Sequence, residues 1–139
     1  MSLLIGVNDV WHELDGRHDG VAAEKFEKIY DMLIAEIIEA LPNIKILILE
    51  PFVLEAAATA ATEAEPERWD YFRKEVPLRA SAAKRIAEKY NLPFVTLQDK
   101  FSEACKQAPA SYWLFDGVHP TPMGHWIIKN EWMKAFREL

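Results

Sequence analysis

The sequence has one cysteine, Cys105, so an internal disulfide framework is excluded. It has no Lys/Arg cluster, and 16 basic residues against 22 acidic ones leave a net charge of −6. That balance removes the electrostatic footprint of a nucleic-acid or anionic-membrane binder. No apolar run approaches the roughly 18–20 residues of a membrane span. The opening MSLLIGV lacks the basic segment and long apolar core of a signal peptide. The expectation from these absences is a soluble, cytoplasmic chain with no nucleic-acid partner. With 139 residues, 50% of them hydrophobic and 12% aromatic, there is material for one core, and residues 1–139 are expected to form one domain.

What is present alternates between short apolar runs and longer amphipathic stretches. Residues 3–7, Leu-Leu-Ile-Gly-Val, read as a strand buried on both faces that exits into Asn8-Asp9. A polar loop covers 12–20. Phe26, Ile29, Tyr30, Leu33, Ile34, Ile37, Ile38 and Leu41 then recur in steps of three and one, the spacing of an amphipathic helix ended by Pro42-Asn43. The β-branched run 44–49 predicts a second buried strand, closed by Glu50-Pro51. Residues 56–65, rich in Ala, Thr and Glu, fit loop or a weakly anchored helix. Helical spacing returns over 67–90, where Pro77 must kink the helix or begin a second segment. A third strand over 94–97, a short helix over 99–107, a loop over 108–119 and a C-terminal helix complete the order. Strand, helix, strand, helix, strand, helix argues for an α/β fold with a parallel sheet covered on both faces.

In such sheets sites form beyond the carboxyl ends of the strands, and two stretches fall there. The first is Gly6-Val7-Asn8-Asp9. The Asn8 amide is a donor suited to a developing negative charge; equally, Asn8 and Asp9 make an Asx turn and cap the next segment. The second is Asp116-Gly117-Val118-His119-Pro120-Thr121-Pro122. Thr121 is a good N-cap and Pro122 a good first helical residue, which puts His119 just outside a helix N-terminus. A carboxylate on one imidazole nitrogen fixes the tautomer of a general base; a solvated turn is the other reading. His12, His18, His119 and His125 show no zinc-like pair spacing, so no metal is expected. Cys105, beside Phe101 and Ala104, reads as a buried inert thiol.

Taken together, IGVNDVW near one end and DGVHPTPMGH near the other resemble the SGNH, or GDSL, ester hydrolases. The resemblance implies a three-layer α/β/α, flavodoxin-like fold. It also implies a Gly-x-Asn-Asp turn, matched by Gly6, Val7, Asn8 and Asp9, whose Asn8 is an oxyanion donor. An Asp-x-x-His-Pro block, matched by Asp116, His119 and Pro120, would make His119 the base and Asp116 its orienter. The implied activity is that of a carboxylic ester hydrolase working through Ser, His and Asp without a cofactor. Short acyl esters, acetylated sugars and lysophospholipids are the implied substrates. Trp11, His12, Trp113 and Phe115 flank the motifs as pocket-lining or core aromatics.

The departures from the family pattern are as specific. The Gly-Asp-Ser block that carries the nucleophile is absent, as is the block with the oxyanion glycine; both precede Gly-x-Asn-Asp in the family. Ser2 lies at the wrong end of its strand, Ser81 and Ser102 fall on helices, and Ser111 lacks a strand-to-helix turn to present it. The expectation is therefore an N-terminally truncated chain that supplies His119, Asp116 and Asn8 but not the serine. Without the first two strands of the family sheet, residues 3–7 become an exposed edge, through which the chain is expected to associate, as a homo-oligomer or with another chain that supplies the missing strands. A non-catalytic binding module derived from the same fold is the competing reading, and a metal-dependent hydrolase using His119 and His125 a third.

Overall fold

In the computed structural model, which describes residues 1–14 and 19–139, three parallel strands form one sheet in the order β1-β2-β3. These are β1 (Ser2–Leu3), β2 (Leu47–Leu49) and β3 (Phe94–Val95). Between and after them lie α1 (Val7–Leu14), α2 (Ala23–Ala40), α3 (Arg68–Lys89), α4 (Gln98–Ala104), α5 (Ala110–Trp113) and α6 (Pro122–Phe136).

The central strand explains the layering. Successive side chains of a strand point to opposite faces. Ile46 and Ile48 join Phe26, Tyr30 and Ile34 of α2 and Ala83 and Ile86 of α3 in one buried cluster. Leu47 and Leu49 join Phe101 of α4, Trp113 of α5 and Leu114 in another, against which Ile127, Ile128 and Trp132 of α6 pack. The result is the expected α/β/α sandwich. A third cluster, Val10, Val53, Phe72, Val76 and Val118, sits at the carboxyl edge of the sheet and underlies the site.

Several boundaries differ from the sequence reading. The strand expected over 3–7 stops at Leu3. Gly6 turns the chain at φ +122°, a backbone conformation that L side chains rarely adopt, with Arg79 and Phe26 packed against the position a Cβ would take. Val7 then opens α1, so the polar stretch begun at His12 is helical through Leu14, and His18 lies outside the described residues. Residues 44–46 precede the ladder because the neighbouring strands are only two residues long. The ladder of β3 ends at Val95; the N–H groups of Leu97 and Gln98 turn instead to the Glu50 carboxylate, at 2.6 and 2.9 Å.

Pro77 neither ends α3 nor starts a second segment; the helix is continuous from Arg68 to Lys89. Its missing N–H frees the Arg73 carbonyl, and both residues are on the exposed side, where water can solvate that carbonyl. The apolar stripe of α2 is wider than its buried face: Ile29, Met32 and Leu33 are exposed. No helix among the described residues is long and apolar enough to cross a membrane.

Candidate active site

The segment after α5 folds back on itself. Phe115 N–H donates to His119 O at 3.1 Å, Gly117 N–H to Leu114 O at 3.2 Å and Thr121 N–H to Trp113 O at 2.9 Å. Gly117 sits at φ +108°, and Val118 drops into the cluster under the site. Thr121 caps α6 as expected: its Oγ1 accepts Gly124 N–H at 3.2 Å and donates to Tyr112 O at 2.7 Å.

Within this loop the Asp116 carboxylate divides its oxygens. Oδ1 accepts the N–H groups of Val118 and His119 at 3.0 and 2.9 Å. Oδ2 lies 2.6 Å from His119 Nδ1. Partial burial of Asp116 pushes its pKa up, but the His119 amide, the His119 ring and the Val118 amide together hold it below the ordinary carboxylate range. An ionised carboxylate only accepts, so Nδ1 must carry the hydrogen and Nε2 is left as the free position. The two side chains differ in access: His119 is 63% exposed and Asp116 14%. A shielded anion thus orients a ring that solutes can reach.

Aromatic rings flank that imidazole. Phe115, itself 58% exposed, stacks on it with centroids 5.7 Å apart. Trp11 of α1 lies 6.1 Å away and meets Phe72 edge-on. Trp113 is buried in the core, and His12 faces Asp19 at 3.2 Å. Asn8 is exposed in the first turn of α1, three residues before Trp11, so the two sequence motifs converge on the same edge of the sheet.

The start of α1 is anchored from below. Arg79, only 1% exposed on α3, donates from Nη2 to Val21 O at 2.7 Å and from Nη1 to the Glu75 carboxylate. Burial raises the pKa of Asp9, opposed by the Arg79 charge and by a hydrogen bond from the Val21 amide. Val21 is therefore held at its N–H by Asp9 and at its carbonyl by Arg79. The sequence carried a hint of Arg79, a cation amid Val76, Ala80 and Ala83; it carried none for Thr59, which is fully buried in the stretch 56–65.

Ser2 Oγ accepts a hydrogen bond from Trp132 at 2.8 Å and Ser102 bonds to Gln98 within α4. Ser81 and Ser111 are exposed on α3 and α5. Among the described residues no serine hydroxyl is hydrogen-bonded to His119, and no group of three metal-ligating side chains is present. Cys105, at the end of α4, packs against the core, and burial raises the pKa of its thiol.

A parallel α/β sandwich with a carboxylate-oriented imidazole at its carboxyl edge is an α/β-class architecture that hydrolytic enzymes use. Comparison with known proteins narrows the class. The chain belongs to the GDSL-like lipase/acylhydrolase family, whose model matches residues 1–127. It is 28% identical over 138 residues to an acetylxylan esterase of Geobacillus stearothermophilus, a match covering 96% of this chain and 57% of that enzyme. A protein described as a GDSL-like lipase from Parabacteroides merdae is 37% identical, with a TM-score of 0.84 over 96% of this chain and 58% of its own. An α/β hydrolase from the metagenome of Lake Arreo, Spain, is 26% identical with a TM-score of 0.76, over 96% and 57%. The chain thus spans somewhat more than half the length of these relatives. Structures of the Geobacillus esterase include catalytic mutants in which a serine, an aspartate and a histidine three positions after it are each replaced by alanine. Asp116 and His119 share that spacing.

Proposed function

We propose that this chain carries the proton-handling part of a serine-dependent carboxylic ester hydrolase. His119 is the general base, Asp116 its orienter and Asn8 an oxyanion donor. The observation that carries this reading is the 2.6 Å contact from Asp116 to His119 Nδ1, which leaves Nε2 accessible. The nucleophile comes from the two strands' worth of fold that the family places before Gly6. The serine replaced in the Geobacillus enzyme lies further ahead of its aspartate than the whole of this chain before Asp116.

In the reaction the serine Oγ attacks the ester carbonyl carbon while His119 Nε2 takes its proton. The carbonyl electron pair becomes an oxyanion facing the Asn8 amide. Collapse breaks the ester C–O bond, and the alcohol leaves with the proton from His119. Water then attacks the acyl-enzyme with His119 again as base, releasing the carboxylic acid and restoring the serine. Asp116 stays ionised throughout and stabilises the transient imidazolium. Short acyl esters and acetylated sugars are the proposed substrates, a reading supported by the similarity to an acetylxylan esterase; lysophospholipids are the other class.

The test is hydrolysis of a chromogenic acetate by the chain extended upstream with the family's first blocks, beside the same protein carrying His119→Ala. Activity that requires both the extension and His119 supports the reading. Equal activity in the 139-residue chain would place the nucleophile inside it and overturn that part. A second reading, a non-catalytic binding module, is favoured by the absence of a serine bonded to His119 among the described residues; it predicts no hydrolysis in either form.

The apolar edge enters the same proposal. Met1, Leu4 and Ile5 are exposed at or beside the outer strand, as are Ile29, Met32 and Leu33 on α2. We take this surface, rather than a strand over 3–7, as the contact through which a second copy of the chain pairs.

A further inference from the structure

The Asp116–His119 pair is held by a loop that contributes no side chain to it. Residues 54–59 follow β2 at the carboxyl edge of the sheet, and this loop takes both carbonyls of the Asp-Gly step. Leu54 N–H donates to Gly117 O and Ala58 N–H to Asp116 O, each at 2.9 Å. The loop keeps its shape through Thr59. The Thr59 hydroxyl donates to Leu54 O at 2.5 Å and accepts Ala56 N–H at 3.0 Å. Thr59 and Arg79 are the buried polar or charged residues among those described, and a buried hydroxyl survives only where its bonds are made. The hydroxyl is also the surface on which the catalytic turn rests: a Cβ on Gly117 would lie 2.3 Å from Thr59 Oγ1 and 2.6 Å from Leu54 O.

We propose that Thr59 is a positioning residue for the Asp116–His119 pair, its hydroxyl locking the 54–59 loop so that two backbone bonds hold the turn in register; this rests on the reading of His119 as the base. Without the hydroxyl, Leu54 O loses its donor and Ala56 N–H its acceptor. The loop relaxes to satisfy them, and the Leu54 and Ala58 amides move away from the carbonyls they hold. The carboxylate then no longer meets the imidazole at one geometry. A displacement of about 1 Å at such a distance from the chemistry costs on the order of 100-fold in rate.

The experiment uses the 139-residue chain. The proton on His119 Nδ1, bonded to Asp116, gives a far-downfield proton resonance, assigned by its loss in His119→Ala. Thr59→Ser keeps the hydroxyl and is expected to keep that resonance. Thr59→Val keeps the shape, loses the hydroxyl, and is expected to lose the resonance to solvent exchange while the amide spectrum stays dispersed. Thr59→Ala serves the same comparison where the valine variant does not fold. A resonance equally intact, or equally lost, in the hydroxyl and non-hydroxyl variants overturns the proposal, because side-chain packing alone would then account for the result. In the extended enzyme the non-hydroxyl variants are expected to lower kcat about 10–100-fold with KM changed less than about twofold. The two ideas fail separately. A resonance indifferent to Thr59 in a protein inactivated by His119→Ala removes the role of Thr59 alone. A resonance that depends on the hydroxyl in a protein whose activity ignores His119 removes the proposed function alone.

Discussion

Asp116 grips His119 twice, by the ring at 2.6 Å from Oδ2 and by the backbone N–H at 2.9 Å from Oδ1. The carboxylate that aims the imidazole is therefore also the group that folds the turn presenting it. Asp116→Asn separates these tasks, because the amide oxygen can still accept one of them while the charge is gone. In the extended enzyme kcat is expected to fall by about 10⁴-fold, as when an orienting carboxylate is replaced by an amide elsewhere. Stability should respond to pH in a defined direction. The folded pKa of Asp116 lies below the ordinary carboxyl value of 3.8, so its contribution is complete above that value and is lost as pH falls through the lowered folded value. Urea midpoints of wild type and Asp116→Asn should differ by a constant amount near neutrality and converge in acid; a gap that persists at the lowest pH would sink this account.

Gly117→Ala puts a methyl where Thr59 Oγ1 and Leu54 O already are, at a φ that alanine tolerates poorly. We expect a loss of about 1–3 kcal/mol of stability, read by urea titration. Tight docking of 54–59 also predicts faster amide exchange at Leu54 and Ala58 in this variant. Unchanged exchange there would mean that the turn and the loop are not coupled.

Arg79 is buried with Glu75 and the Val21 carbonyl as partners. Removing one member of a buried pair strands the other, so Arg79→Ala is expected to cost about 3–5 kcal/mol. Glu75→Gln, which leaves an acceptor in place, should cost clearly less. Equal losses in denaturant titrations would show that the packing of the long side chain, not its charge, is what matters.

Much of this architecture is legible in the sequence, and the misses share a cause. The three apolar runs and the caps at Thr121 and Pro122 are local signals, and they place the layers and the Asp116–His119 turn. Strand lengths are not local: residues 44–46 and 96–97 have strand composition, yet a ladder needs a partner, and in the parallel register 44–46 lie before β1 and β3 begin while 96–97 lie beyond the end of β2. The strand expected over 3–7 stops at Leu3, and at Gly6 the chain turns with a positive φ where Phe26 and Arg79, distant in sequence, leave no room for a Cβ. Ile29 and Leu33 fit the helical period but are exposed, because periodicity records which residues are apolar and not what covers them. Thr59 was invisible for the same reason, since nothing in an Ala/Thr/Glu stretch says which threonine the fold will bury.

The exposed surface of β1 and α2 gives a concentration-dependent expectation. If a second copy pairs there, light scattering should report a species larger than a monomer at micromolar concentration, and Leu4→Lys should shift it toward monomer by placing a charge on an apolar edge. A wild-type chain that stays monomeric removes the pairing proposal.

Glu50, at the end of the central strand, bonds through one carboxylate oxygen to the amides of Leu97 and Gln98, where α4 begins without a side-chain cap of its own. The instruction to start that helix is thus written on another strand and delivered only when β2 and β3 sit side by side in the correct frame. A slip of one residue between them would withdraw it, so the first turn of α4 acts as a proofreading signal for sheet assembly.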